Sequence, residues 1–66
     1  MNELVGVQAT VTNPTRGSEG PGEVDVPLKG MFIAYSDEAL TRGTAVVIYE
    51  QMGSRKVRVA PIREEN

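Results

Sequence analysis

Apolar residues alternate with polar ones in several short segments that glycine or proline separates from one another. A period of two is typical of a β-strand that buries one face. Three segments show this alternation: Leu4–Asn13, Glu23–Leu28 and Lys56–Ile62. Two more, Met31–Ser36 and Ala45–Glu50, are almost continuously apolar and too short for an ordinary helix. The sequence therefore predicts an all-β fold of five short strands.

The size of the chain limits how these strands can be stabilised. Its 66 residues suffice for a single domain, 1–66, and a domain of that size buries only about 60% of the surface of its unfolded chain. Cysteine and histidine are absent, which excludes disulfides, zinc sites and catalysis by a thiol or an imidazole. No loop spaces its carboxylates like a calcium loop. We therefore expect no cofactor, no metal and no enzymatic activity, and we expect a closed barrel in which every strand is paired.

Two connections bear on the type of barrel. Segment 13–22 (NPTRGSEGPG) is rich in glycine and proline and is predicted to be a flexible loop. Segment 36–40 is predicted to form a single helical turn, capped by Ser36 or Asp37. A helical turn between the third and fourth of five strands favours an OB-type barrel, and an SH3-like barrel is the alternative. Residues 63–66 are predicted to be a polar tail.

Alternation also predicts which side chains fill the barrel. Phe32 is the one large aromatic residue of this set, so its truncation should be costly. The predicted interior consists of Val5, Val7, Ala9, Val11, Val24, Val26, Leu28, Phe32, Ala34, Leu40, Val46, Ile48, Val57 and Val59.

Five apolar residues fall on the opposite face of their strands and form the candidate interaction surface. One interpretation is that Leu4, Ile62 and the long loop cover them. The other is an exposed apolar patch that binds a protein partner or a second copy of the chain. Methionine and tyrosine suit such a surface, since they are adaptable or amphipathic. The candidate residues are Met31, Ile33, Tyr35, Val47 and Tyr49.

The charge balance limits the choice of partner. The formal net charge is −2 and the pI is near 4.9, whereas nucleic-acid-binding domains usually carry a basic stripe. Arg55, Lys56 and Arg58 cluster around the last hairpin and suit either phosphates or acidic lipid headgroups; the plainer interpretation is a solvated strand face. Tyr35 and Tyr49 would be the stacking residues of a single-stranded nucleic-acid binder, which stays as the alternative function.

A series of glycines and small apolar residues resembles a known family. The series runs through Gly6-x-x-Ala9-Thr10-Val11 and Asn13-Pro14, then Gly22-x-Val24-x-Val26, then Gly30, Ala34 and Ser36. It continues with Leu40-x-x-Gly43-Thr44-x-Val46-x-Ile48 and closes with Val57-x-Val59-x-Pro61. This pattern, from about Gly6 to Pro61, is similar to the soluble C-terminal domain of NfeD-like proteins, although loop 13–22 is longer than the family's usual turn.

The resemblance implies an OB fold and a non-catalytic role in protein–protein contact. It also implies a domain that follows a membrane-embedded part and lies on the cytoplasmic side of the membrane. The implied partner is a stomatin- or flotillin-type scaffold protein, and some relatives imply a link to membrane-bound proteolysis. The chain itself contains no run of about 18 apolar residues, so we expect the membrane to be reached only through such a separate part.

Overall fold

The structure, a computed structural model, describes residues 3–63, which form five β-strands. The strands are β1 (Gln8–Asn13), β2 (Gly22–Val26), β3 (Gly30–Tyr35), β4 (Ala45–Gln51) and β5 (Lys56–Pro61). The prediction of five short strands is confirmed.

The strands close into a barrel in the order β1-β2-β3-β5-β4, and pairing of β1 with β4 completes the circle. β3 and β5 run parallel to each other, and the other four pairs are antiparallel. This is the strand order of an OB-type barrel, so the predicted fold is confirmed over the SH3-like alternative. Because the sheet closes on itself, the barrel presents no long free edge to another chain.

Within residues 3–63, twelve hydrophobic side chains fill the barrel, and Val7 packs against them while partly exposed. Eleven of the twelve belong to the predicted interior; the twelfth, Leu4, was predicted to cover the outer face and is instead buried in the core. The core consists of Leu4, Ala9, Val11, Val24, Val26, Phe32, Ala34, Leu40, Val46, Ile48, Val57 and Val59.

Two residues of the predicted interior are exposed, because two strands are shorter than their apolar alternation. β1 begins at Gln8 and not at Leu4, since residues 3–6 form a turn in which the Val7 amide donates to the Leu4 carbonyl over 3.0 Å. Val5 lies in this turn and is 44% exposed. β2 ends at Val26, and the prediction for Leu28 is wrong for the same reason.

The predicted helical turn between the third and fourth strands is also wrong in its position. Segment 36–40 is a bend, although the Ser36 hydroxyl does accept a hydrogen bond from the Glu38 amide, 3.2 Å away, as a cap would. The helical turn within residues 3–63 is a short 3-10 helix, Gly17–Glu19, in the long loop between β1 and β2. One hydroxyl cap can therefore be satisfied without a helix following it.

The turn between β2 and β3 holds a leucine in an unusual backbone conformation. The Lys29 amide donates to the Val26 carbonyl over 2.9 Å, Pro27 occupies the second position and Leu28 the third, with φ +69°. These are the features of a type II turn, whose third position normally takes glycine or asparagine because φ is positive there. Leu28 is fully exposed (104%), so no packing offsets the strain.

We expect Leu28→Gly to stabilise the domain. A left-handed conformation costs a bulky residue about 1–2 kcal/mol, and glycine avoids this cost. Glycine loses more chain entropy on folding, which offsets roughly 0.5–1 kcal/mol of the stabilisation. The net increase in the free energy of unfolding should be about 0.5–1 kcal/mol. A urea denaturation curve followed by circular dichroism measures it, and a loss of stability would mean that the Leu28 side chain makes contacts that the structure does not show.

Candidate interaction surface

The first part of the candidate surface is a row of apolar side chains along the outside of β3. Phe32 and Ala34 point into the core, so their neighbours Met31, Ile33 and Tyr35 point outward. Met31 is exposed, Ile33 is 36% exposed and Tyr35 is half-buried. We call these three residues the β3 row.

The second part lies on β4, where Val47 is half-buried and Tyr49 is exposed. A β-bulge shapes it, because the pairing of β4 with β5 shifts between Ile48 and Glu50. The bulge inserts Tyr49 as an extra residue and turns Glu50 outward as well, opposite Arg58. Alternation of apolar and polar residues does not indicate this bulge.

β5 separates these two rows, so the five candidate residues do not form one continuous patch. On the outer face, Lys56 lies opposite Ile33 and Arg58 opposite Tyr35. Ala60, the next outward-facing residue of β5, lies opposite Val47 on β4. This arrangement follows from the strand order of an OB barrel, in which β5 lies between β3 and β4. Because the sequence predicted an OB-type barrel, the separation of the two rows could have been predicted with it.

The three basic residues of the last hairpin differ in their engagement. Arg58 forms an ion pair with Glu50, with 3.3 Å between Nε and Oε1, and both side chains are largely solvated. The Arg55 guanidinium lies 5.1 Å from the centre of the Phe32 ring. Lys56 is exposed and forms no salt bridge with a residue of the described range 3–63. Lys56 is thus the charge of this row that is most available to a partner.

Acidic side chains lie on the other flank of the β3 row. Glu23 of β2 is paired with Ile33, and Asp25 with Met31. From β2 to β5 the outer face is therefore acidic, then apolar, then basic. An apolar stripe between opposite charges can fix the orientation of a partner as well as bind it, because mismatched charges oppose the wrong register.

The long loop between β1 and β2 is anchored against the segment that follows β3. Thr15 is buried, and its hydroxyl donates to the Glu38 carbonyl and accepts from the Leu40 amide, each over 2.9 Å. The backbone amide of Thr15 also donates to the Leu40 carbonyl over 3.0 Å. The flexibility of the loop stays a prediction, but its first half is fixed to a defined place on the barrel. No pattern in the sequence pointed to Thr15.

The anchored loop borders the β3 row without covering it. Ile33 lines an open depression together with Pro14, Arg16 and Pro21 of the loop. Tyr35 lines a second depression beside the 3-10 helix, Gly17–Glu19. The loop was one of the predicted covers for this face. It forms a rim beside the C-terminal half of β3 and leaves Ile33 accessible.

Glu38, in the segment that follows β3, has structural partners. Its carboxylate forms an ion pair with Arg63, and its backbone amide donates a hydrogen bond to the Ser36 hydroxyl. Among residues 3–63 no three side chains of the His, Cys, Asp or Glu types come together in a way that could hold a metal ion.

Comparison with known proteins identifies the family. The family model described as the NfeD C-terminal domain matches residues 8–60. The chain belongs to the NfeD C-terminal domain family. A search of the curated proteins found no match.

A solved structure supports the fold of this NfeD C-terminal domain. The soluble domain of a membrane protein implicated in regulation of membrane protease activity, from Corynebacterium glutamicum, superimposes with a TM-score of 0.73. The two share 21% sequence identity, and the alignment covers 88% of this chain and 90% of the other. At that identity the likeness shows a common barrel.

Within residues 3–63 of the NfeD C-terminal domain, no helix has the length and apolar character needed to cross a bilayer.

Three glycines of the sequence pattern, Gly6, Gly30 and Gly43, have positive φ angles at or just before the start of a strand, and this conformation favours glycine.

Proposed function

We propose that this NfeD C-terminal domain is a non-catalytic module that binds another protein through the β3 row. The observation that carries the proposal is the accessible apolar stripe of Met31, Ile33 and Tyr35 between an acidic and a basic flank. Aromatic residues and methionine are enriched in the centres of protein interfaces, and charged residues at their rims. Val47 and Tyr49, beyond β5, extend the same outer face as a second row.

The family supplies the setting of the proposal. The chain is an NfeD C-terminal domain, and we propose that it is joined to a membrane-embedded part and lies on the cytoplasmic side of the membrane. The Corynebacterium glutamicum neighbour is named for regulation of membrane protease activity, which supports a role in a membrane complex. The partner we propose is a stomatin- or flotillin-type scaffold protein.

We expect Ile33→Lys to weaken binding of the scaffold by about 30-fold, because it places a charge at the centre of the apolar stripe. The measurement is a calorimetric titration of the domain with the stomatin- or flotillin-type protein of the same genome. Thr10→Lys is the matched control: Thr10 is exposed on the outside of β1 and receives the same new charge. It should change the affinity less than about twofold.

Equal affinities of Ile33→Lys and Thr10→Lys for the scaffold would place the interface elsewhere and contradict the proposal. If circular dichroism shows that Ile33→Lys is unfolded, Met31→Lys takes its place in the same titration, since Met31 is more exposed. Binding of a single-stranded oligonucleotide tighter than about 10 μM, weakening steeply with salt, would instead support the nucleic-acid alternative.

A further inference from the structure

The end of the barrel that carries the β2–β3 turn displays an exposed leucine at its tip. Leu28 extends fully into solvent from a turn whose backbone would favour glycine at that position. Strain that packing does not offset is a reason to ask what the side chain contacts outside the domain. The conformation fixes the leucine at the tip, because the turn is closed by the hydrogen bond from Lys29 to Val26.

Other connections reach the same end of the barrel and add apolar side chains. β1 begins here, since its register with β2 places Gln8 near the end of that strand. The turn before β1 exposes Val5, and the hairpin between β4 and β5 exposes Met52. Leu28 is therefore the most prominent member of a group of exposed apolar residues at one end.

Basic side chains surround this tip. Lys29 follows the leucine directly, and Arg55 belongs to the hairpin that lies beside the turn. The Arg55 guanidinium reaches across from the hairpin to the carbonyls of Lys29 and Met31, at 3.4 and 3.3 Å, and holds the two connections together. The turn and the hairpin, residues 27–30 and 52–55, contain no acidic residue.

Acidic groups face this region only from its sides. Asp25 lies on the wall of β2, paired with Met31, and Glu3 lies in the turn before β1. Glu50 is engaged by Arg58. The charge presented by the tip itself is therefore positive, although the whole chain carries a net charge of −2.

We infer that this end of the barrel rests on an anionic lipid surface, with Leu28 inserted among the lipids and Lys29 and Arg55 at the headgroups. A protruding leucine without a surrounding concave rim suits a fluid hydrocarbon layer, which needs no complementary pocket. Basic residues beside it are attracted to acidic headgroups, and each adds a modest increment that salt screens. One leucine and two basic residues give weak, reversible binding, which suffices to orient a domain that is already tethered. Only the tether rests on the proposed function.

The chain has no tryptophan, so a single one at position 28 reports on the tip alone. We expect the emission of Leu28→Trp to shift to the blue on vesicles of phosphatidylcholine with about one third phosphatidylserine, and much less on phosphatidylcholine alone. High salt should reverse the shift. Unchanged emission on anionic vesicles at millimolar lipid, or a shift that neutral vesicles reproduce, overturns the inference.

Two further variants test the contacts by co-sedimentation with the same vesicles. Leu28→Gly should bind about tenfold more weakly, for loss of one inserted leucine. Lys29→Gln should bind about fivefold more weakly. Because Leu28→Gly is expected to be more stable than the parent chain, its loss of binding cannot come from unfolding.

Leu28→Gly also separates this inference from the proposed function. It leaves the β3 row intact, so its affinity for the scaffold protein should be unchanged. Equal vesicle binding by Leu28→Gly and the parent chain overturns the lipid contact, whatever the scaffold does. If Leu28→Gly lost scaffold binding but retained vesicle binding, the tip would be a protein-binding site, and the lipid contact would be overturned as well.

Discussion

Replacing Gly22 with alanine is expected to destabilise the domain by about 3 kcal/mol or more, because β2 crosses the end of β1 too closely to admit a side chain. A Cβ atom at Gly22 would lie 2.3 Å from the carbonyl oxygen of Asn13 and 2.6 Å from that of Pro14. These are backbone atoms, so no side-chain rotation can relieve the contact. One of the two strands has to move.

The movement would spread beyond the point of contact. Gly22 pairs with Ala34 on β3, and its neighbour Glu23 pairs with Asn13 on β1. Asn13 also leads directly into the loop that Thr15 anchors. Separating β1 from β2 here therefore disturbs two ladders and the rim of the β3 row at once.

Gly20→Ala is the matched control for Gly22→Ala. Gly20 lies two residues away in the loop that leads into β2, has an extended φ of 164°, and an added Cβ would meet no atom within 4 Å. Its effect should stay within about 0.5 kcal/mol. Urea denaturation of both variants measures the difference, and a loss below about 1 kcal/mol for Gly22→Ala would show that the close approach relaxes easily.

Alternation predicted side-chain direction well inside the strands and failed at their ends. Val24, Val26, Val57 and Val59 are all buried as predicted. Alternation alone does not mark where hydrogen-bonded pairing stops, and it continued through Leu28 into a turn. Proline at the second position of that turn indicates a turn in place of a continuing strand, and the residue after it takes positive φ. The regular apolar pattern outweighed this indication.

The candidate surface depended on information of a different kind. Residue parity predicted correctly that Ile33 and Tyr49 point outward. Whether such residues adjoin each other depends on strand order, and β5 brings Arg58 between them. The anchor at Thr15 could not be predicted, because its hydroxyl bonds a backbone carbonyl and a backbone amide more than twenty positions away, and backbone groups leave no mark in the sequence.

Truncation of Phe32 to alanine should leave much of the protein unfolded. Phe32 is 6% exposed and is the one phenylalanine of the chain, on the inner face of β3 opposite Val24. Loss of a buried phenylalanine costs about 3–5 kcal/mol, through lost burial and the cavity that remains. A domain of this size has a total stability of only roughly 3–10 kcal/mol, so one substitution removes a large share of it.

Arg55→Gln separates the packing of Phe32 from its contact with the guanidinium. The cation–π contact at this solvated site is worth about 0.5–1 kcal/mol, so Arg55→Gln should cost far less than Phe32→Ala. Urea denaturation followed by circular dichroism compares them. If Phe32→Ala lost less than about 1 kcal/mol, the aromatic ring would not be a core residue, and the barrel would have to be stabilised by the eleven other residues of its core.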